Sequence, residues 1–152
     1  MNGVILEMYK KVLLDTNVIL NFAFIPNRLS LRIKNFIDDE IYKGGHNINI
    51  SEISALEIGL LVKKKKIEIK SARDFWKKML EEWKPTIIAT NSDVYLKACE
   101  LIGVNNDPCD RIITATSILK KLPLLTSDQD LLKWSETEES HSYSFSAINS
   151  FK

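Results

Sequence analysis

The sequence predicts an α/β fold in which helices cover both faces of a central parallel sheet of about four to five strands. Short apolar runs alternate along the chain with segments whose apolar residues recur at helical spacing. Strands that alternate with helices in this way form parallel sheets. The length of 152 residues fits one domain, so residues 1–152 are interpreted as a single domain. A content of 45% hydrophobic residues excludes a chain that is disordered throughout.

The first half of the chain contains two predicted strands and three predicted helices. Residues 12–14 form a short buried strand, and a helix follows over 18–24. Ser30 caps the second helix, which Gly44-Gly45 ends. A second strand over 47–50 leads directly into a third helix over 51–65.

The second half repeats this alternation. Ser71 caps a helix that runs to Trp83, and residues 86–89 form the third strand. Ser92 caps a helix through Ile102, and Asp107-Pro108 opens the next, because proline fits a first helical turn. That helix runs to about residue 121. The pattern then gives a strand over 124–126, a short helix that begins at 128 and a last strand over 143–147.

Charge and composition restrict the class of protein. The 21 Lys and Arg residues nearly balance the 20 Asp and Glu residues, which excludes a polycation that coats nucleic acid by bulk charge. The sequence contains no apolar run near the ~18 residues of a membrane span and no export signal, so no membrane contact is expected. The two cysteines form neither a C-x-x-C pair nor a disulfide framework, which predicts a reducing, cytoplasmic location. Because the chain has only two histidines, a metal would have to be held by carboxylates.

Three acidic residues follow strands or open helices where a ligand site is expected. Asp15 follows the first strand, Asp128 follows the strand over 124–126, and Asp110 lies in the first turn opened by Asp107-Pro108. In an open α/β sheet, ligands bind beyond the carboxyl ends of the strands. Each acid taken alone is explained equally well as a helix cap, an interaction of only ~1 kcal/mol.

Glu57 is not explained as a cap. It lies within an apolar face of the third helix that includes Ile53, Leu56 and Leu60. A buried carboxylate without a partner would cost several kcal/mol. The sequence leaves open a salt bridge with Arg111 or Arg32, a helix end that lets Glu57 reach water, or a cleft where Glu57 shares a cation with other acids.

Together, Asp15, Glu57, Asp110 and Asp128 indicate a metal site. Four carboxylates that converge without a counter-charge would raise one another's pKa. A hard divalent cation with oxygen ligands, Mg²⁺ or Mn²⁺, removes this conflict. Such an ion polarises a phosphoryl oxygen and supplies hydroxide near neutral pH, which suits hydrolysis of a phosphodiester bond.

Four segments in order resemble the PIN domain, a metal-dependent ribonuclease fold, and within it the VapC toxins of type II toxin–antitoxin modules. The segments are Leu13-Leu14-Asp15-Thr16-Asn17, Ser54-Ala55-Leu56-Glu57-Ile58, Asp107-Pro108-Cys109-Asp110-Arg111 and 122–130, with sequence LPLLTSDQD. The resemblance covers about residues 11–134 and leaves the tail 135–152 with its possible last strand. It departs from the family at Asn105-Asn106, where relatives often carry His-Arg, and at Cys109, where Phe is frequent.

The resemblance implies a three-layer α/β/α sandwich and an Mg²⁺- or Mn²⁺-dependent endoribonuclease, a toxin of a toxin–antitoxin system. By the same resemblance the acids at 15, 57, 110 and 128 bind the metal, and Asp130 could replace or assist Asp128. Asn17, Ser127 and Thr16 are polar neighbours that position water or phosphate. The family also implies a homodimer and a cognate antitoxin protein that blocks the site.

The sequence leaves open two other functions and the role of a run of four lysines. The first rival is a PIN-like protein that binds RNA or a partner without cleavage, and the second is an aspartyl phosphate protein with Asp15 as phosphate acceptor. Such phosphotransferases usually carry Asp-x-Asp where this chain has Asp15-Thr16-Asn17. Lys63-Lys64-Lys65-Lys66 either contacts RNA phosphates or forms a solvated helix end.

Overall fold

The protein is built around five parallel strands in the order β3-β2-β1-β4-β5. The computed structural model describes residues 10–151, and the segment 1–9 that precedes the family resemblance lies outside this range. The strands are β1 (Val12–Leu14), β2 (Ile48–Ser51), β3 (Thr86–Ile88), β4 (Leu124–Thr126) and β5 (Ala147–Asn149). The predicted all-parallel α/β sheet is confirmed.

Eight α-helices occur between residues 10 and 151. They are α1 (Thr16–Phe24), α2 (Leu31–Tyr42), α3 (Ile53–Lys63), α4 (Ala72–Trp83), α5 (Ser92–Glu100), α6 (Pro108–Lys120), α7 (Gln129–Trp134) and α8 (Glu138–Ser142). A 3-10 turn over Pro26–Arg28 separates α1 from α2. None of the helices in this part of the chain has the length and apolarity to cross a membrane.

The sheet separates two hydrophobic clusters, which makes the molecule a three-layer α/β/α sandwich. Val12 and Leu14 of β1 pack into one cluster and Leu13 into the other, because successive side chains of a strand point to opposite faces. The first cluster includes buried side chains of α1–α4, and the second includes buried side chains of α5–α7. Trp76 and Trp83 both pack into the first cluster.

The predicted helix caps are mostly confirmed. The side chains of Ser30, Ser71 and Asp107 each accept the backbone N–H three residues later, at 3.2, 3.1 and 3.0 Å. One prediction was wrong: Asn91 caps α5 in place of Ser92, and this helix ends at Glu100. The third predicted helix starts later than expected, since β2 extends through Ser51.

The last strand lies at 147–149 and not at the predicted 143–147. The tail first forms the unpredicted helix α8 and then turns at Ser144, whose φ is 57°. This turn delays the start of the strand, which pairs with β4 in the register Leu124–Ala147 and Leu125–Ile148. The tail is therefore part of the sheet.

The strand order locates the ligand edge of the sheet. From β1 the chain adds β2 and β3 on one side and later returns to add β4 and β5 on the other. Between β1 and β4 the winding direction reverses, and open parallel sheets bind ligands at such a switch point.

Candidate active site

Asp15 and Asp128 lie at the switch point, at the carboxyl ends of β1 and β4. Both residues cap helices. Asp15 Oδ1 accepts the Thr16 N–H at 2.8 Å, and Asp128 Oδ1 accepts the N–H groups of Asp130 and Leu131 at 2.8 and 3.2 Å. Capping uses only Oδ1 of each carboxylate, so the role of Oδ2 is not explained by capping.

The second oxygen of Asp15 is held from the neighbouring strand. The Thr126 hydroxyl donates to Asp15 Oδ2 at 2.7 Å, and the Asn17 side-chain amide donates to the same oxygen at 3.1 Å. Thr126 Oγ1 also accepts the Asp128 N–H at 3.0 Å. Asp15 is only 2% exposed, so these contacts fix a buried carboxylate. Sequence reasoning did not single out Thr126, whose partner lies 111 residues away along the chain.

Asp110 approaches the same edge from the first turn of α6. The Asn105 side-chain amide donates to Asp110 Oδ2 at 3.1 Å, and Asn105 Oδ1 accepts the Asp107 N–H at 2.9 Å. Asn105 therefore orients Asp110 and stiffens the loop before the helix. The residue that departs from the family pattern has a positioning role.

Glu57 projects toward the site because its helix is tied to α1. Ser54 Oγ and Thr16 Oγ1 lie 2.9 Å apart in a buried hydrogen bond, and Glu57 follows Ser54 by one helical turn. Glu57 Oε1 is buried and has no hydrogen-bond partner among the described residues. The predicted buried face of this helix was wrong in part, since Leu56 and Leu60 are 53% and 37% exposed.

A salt bridge from Arg111 does not neutralise Glu57. The Arg111 guanidinium donates instead to backbone carbonyls, including those of Ala98 at 2.9 Å and Leu101 at 2.7 Å. It thereby holds the loop between α5 and α6. Of the alternatives that the sequence left open for Glu57, a salt bridge with Arg111 is excluded.

The acids influence one another's ionisation. Burial is the largest cause that raises the pKa of Asp15 to about 6 and that of Asp110 to about 7, against the hydrogen bonds from Thr126 and Asn105. The negative charges of Glu57 and Asp128 further raise the pKa of Asp15, and those of Asp15, Asp107 and Asp128 raise the pKa of Asp110. Burial and the charges of Asp107 and Asp128 also raise the pKa of Glu57, whereas the nearby Thr16 hydroxyl lowers it. The four predicted acids and Asp107 therefore form one anionic cluster at this edge of the sheet.

The donor set fits a hard divalent cation in its chemistry. All four candidate ligands are carboxylates, and the buried Glu57 Oε1 has no hydrogen-bond donor within residues 10–151, which leaves this oxygen available to a cation. Across residues 10–151, however, no three His, Cys, Asp or Glu side chains are close enough to share one ion. A bound cation would therefore have to draw the carboxylates closer together against their mutual repulsion.

Of the remaining predicted residues, Asn17 and Thr16 connect the acids to the fold. Asn17 Oδ1 accepts the Ser127 N–H at 3.2 Å, so Asn17 links α1 to the end of β4. Asp130 is exposed in the first turn of α7, whereas Asp128 is half-buried beside Asp15. Lysines 63–66 are exposed at the end of α3.

Cys109 lies in the same turn as Asp110. Burial, together with the charges of Glu57, Asp107 and Asp110, raises the pKa of its thiol to about 11, although the Lys64 charge opposes this. The thiol is therefore protonated at neutral pH and unsuited to act as a nucleophile. The chemistry of the site rests on its oxygen ligands.

The stability of the metal-free protein is expected to fall as pH rises from about 4 to about 7. Folded Asp15 keeps its proton up to a pKa of about 6, against an ordinary value of 3.8, so the folded state binds more protons in this range. Asp15 alone accounts for up to about 3 kcal/mol of this loss. Urea unfolding in EDTA between pH 4 and 8 measures it, and Asp15→Asn should flatten the profile. A wild-type profile that Asp15→Asn leaves unchanged would contradict this assignment.

Comparisons with known proteins agree with the fold. A family model described as PIN domain matches residues 12–136. No curated protein gives a significant match. Among solved structures, VapBC2 from Rickettsia felis bound to promoter DNA shares 17% identity at a TM-score of 0.63, over 91% of this chain and 97% of that chain. DNA-bound VapBC from Salmonella typhimurium shares 14% identity at a TM-score of 0.60, over 91% of this chain and 97% of that chain.

A toxin–antitoxin complex from Klebsiella pneumoniae gives 20% identity and a TM-score of 0.55, over 85% of this chain and 94% of that chain. At these identities the structural matches show the fold alone. The family match spans most of the sequence, and its range includes all four predicted acids. The chain therefore belongs to the PIN domain family.

Proposed function

We propose that the protein is a metal-dependent endoribonuclease that hydrolyses RNA phosphodiester bonds, and that it is the toxin of a type II toxin–antitoxin module. The observation that carries the proposal is the shared anionic site of Asp15, Glu57, Asp110 and Asp128 at the switch point of a PIN fold. Buried carboxylates that raise one another's pKa are costly unless a cation neutralises them. The fold and the family support a nuclease, and the RNA substrate is the proposed part.

In this proposal the four acids hold Mg²⁺ or Mn²⁺. When bound, the cation supplies charge stabilisation at the phosphate and lowers the pKa of a bound water. The protein's own residues orient the ligands: Thr126 and Asn17 fix Asp15, and Asn105 fixes Asp110. Asp128 is preferred over the exposed Asp130 as fourth acid, because its charge acts on the other three.

Cleavage of total RNA with Mg²⁺, with Mn²⁺ and with EDTA tests the proposal. Discrete fragments are expected from the wild type with either metal, and none with EDTA or from Asp15→Asn prepared in parallel. The variant controls for a contaminating nuclease, because contamination would persist in both preparations. Equal cleavage by both proteins would refute the assignment.

The main alternative is a protein that binds RNA or a partner without cleavage. Absence of fragments from any RNA, together with RNA binding in EDTA, would favour it. Lysines 63–66 are the proposed phosphate contacts in either case, since they are exposed at the end of the helix that carries Glu57. The nearly balanced charge of the chain predicts a shallow salt dependence of RNA binding.

A cognate antitoxin, a homodimer and a cytoplasmic location complete the proposal. The structural neighbours are toxin–antitoxin complexes, which supports an antitoxin as partner. Exposed apolar side chains such as Leu96, which is 62% exposed, provide area for self-association. Light scattering of the purified protein measures its oligomeric state.

A further inference from the structure

A mostly apolar cavity of about 570 Å³ lies along α1, next to the acidic site. Asn17 and Ser127, the neighbours of Asp15 and Asp128, line one end of it, and its lining continues along the helix to Phe24. The volume is within the roughly 300–1,000 Å³ that is typical of sites for small ligands. Like those sites, the cavity combines a wall of apolar side chains with a few polar groups.

The apolar wall of the cavity comes from three separate segments of the chain. These are α1 with the residue after it, the segment between α3 and α4, and the end of the chain after β5. The apolar side chains that line the cavity are those of Leu20, Phe24, Ile25, Ile67, Ile69 and Phe151. Phe24, Ile25 and Phe151 are 52%, 43% and 42% exposed, so part of this wall is in contact with water. A ligand with an apolar body would remove that area from water, which favours binding.

Asn21 indicates that the ligand also has a polar group. It lines the cavity and is only 8% exposed, yet its side-chain amide makes no hydrogen bond within the described part of the chain. Polar side chains that are this buried are normally hydrogen-bonded. The amide therefore has an N–H to donate to a ligand, and such a bond is strongest when the acceptor oxygen is ionised.

The charged side chains of the lining favour a ligand with a single negative charge. Arg28 and Lys66 carry two positive charges and Glu68 carries one negative charge, so the described lining has a net charge of +1. None of these three side chains forms an ion pair within residues 10–151, so both cations are available. A neutral apolar ligand would leave the cations and the Asn21 amide unused, whereas a ligand of several phosphates would leave the apolar wall in water.

We propose that this cavity binds a small apolar carboxylate, such as a medium-chain fatty acid. The aliphatic chain lies against the apolar wall, and the carboxylate accepts the Asn21 N–H near the cations Arg28 and Lys66. The polar groups thus recognise the one charge of the ligand, and the volume of the cavity limits the length of its chain. This site goes beyond the proposed function, because binding requires neither a metal nor RNA.

Calorimetric titration of the full chain with decanoate in EDTA, below the concentration at which decanoate forms micelles, tests the proposal. Binding at a single site is expected. Each methylene added between hexanoate and decanoate should raise the affinity about three- to fourfold, the effect of burying one such group. Decanol should bind at least about tenfold more weakly than decanoate, because it lacks the charge that Arg28, Lys66 and Asn21 recognise.

Substitutions in the lining locate the site. Asn21→Leu, which keeps the size of the side chain, should weaken decanoate binding about tenfold without weakening decanol binding, since it removes one hydrogen bond to a charged group. The double variant Arg28→Gln with Lys66→Gln should weaken decanoate binding by at least as much. Arg73→Gln is the matched control, because Arg73 is an exposed arginine of α4 outside the cavity, and it should bind as the wild type does. Thermal unfolding of each variant shows that it is folded.

Equal affinities for decanoate and decanol would show that the carboxylate is not recognised and would overturn the inference. Absence of decanoate binding, or binding that Asn21→Leu and the double variant leave unchanged, would overturn it as well. So would an equal loss of affinity in Arg73→Gln, since the effect would not belong to the cavity. None of these titrations depends on RNA cleavage, so each of their outcomes leaves the ribonuclease assignment untouched.

Discussion

Asp110→Asn is expected to lower metal-dependent RNA cleavage by about 10²- to 10³-fold, the effect of losing one group that stabilises charge in a transition state. The substitution keeps the shape of the side chain, and its amide oxygen can still accept the Asn105 hydrogen bond of 3.1 Å. What it removes is one negative charge from the proposed ligand set. Single-turnover cleavage of a labelled RNA fragment with Mg²⁺ measures the loss.

Asp107→Asn is the control for this substitution. Asp107 lies in the same turn and caps α6 by accepting the Asp110 N–H at 3.0 Å, and asparagine caps helices as well as aspartate does. Its cleavage rate should remain within about tenfold of the wild type. Equal losses in the two variants would show that the turn matters only for its structure. Cleavage at the wild-type rate by Asp110→Asn would remove Asp110 from the proposed ligands.

Local patterns in the sequence predict most of the fold. The continuous apolar run Val12-Leu13-Leu14 predicts a strand covered on both faces of the sheet, and Ser30 and Ser71 mark where helices begin. These features depend on neighbouring residues only. The last strand was misplaced because a short helix and a left-handed turn at Ser144 are set by packing of the tail against the sheet.

The candidate site, like the fold, could be predicted from the sequence only in part. Acids that follow strands can be located from the sequence, because parallel strands end at one edge. The contacts that orient these acids cannot, since Thr126 and Asp15 are distant in sequence and meet only through the pairing of β1 with β4. Hydrophobicity also failed to separate the exposed Leu56 from the buried Ile58 on α3. Ile58 packs into the first hydrophobic cluster, whereas Leu56 lies on the exposed side of the same helix.

Arg111→Met is expected to lower the free energy of unfolding by about 3 kcal/mol. The guanidinium donates to four nearby backbone carbonyls, those of Ala98, Leu101, Val104 and Asn105, at 2.7–3.2 Å. Methionine can replace the packing of the aliphatic stem but leaves these half-buried carbonyls without their donor. For a domain of this size, the midpoint of thermal unfolding should fall by roughly 6–12 °C. Differential scanning calorimetry in EDTA measures the change.

Arg73→Met controls for the loss of a positive charge, because Arg73 is exposed on α4 and a surface substitution there should change the stability by less than about 0.5 kcal/mol. Arg111 also bonds the carbonyl of Asn105, the residue that orients Asp110. Arg111→Met should therefore cleave RNA more slowly even at a temperature where it is fully folded. A variant that is less stable yet cleaves at the wild-type rate would show that the loop keeps Asn105 in place by itself. A variant with unchanged stability would contradict the role of Arg111 as the residue that holds the loop between α5 and α6.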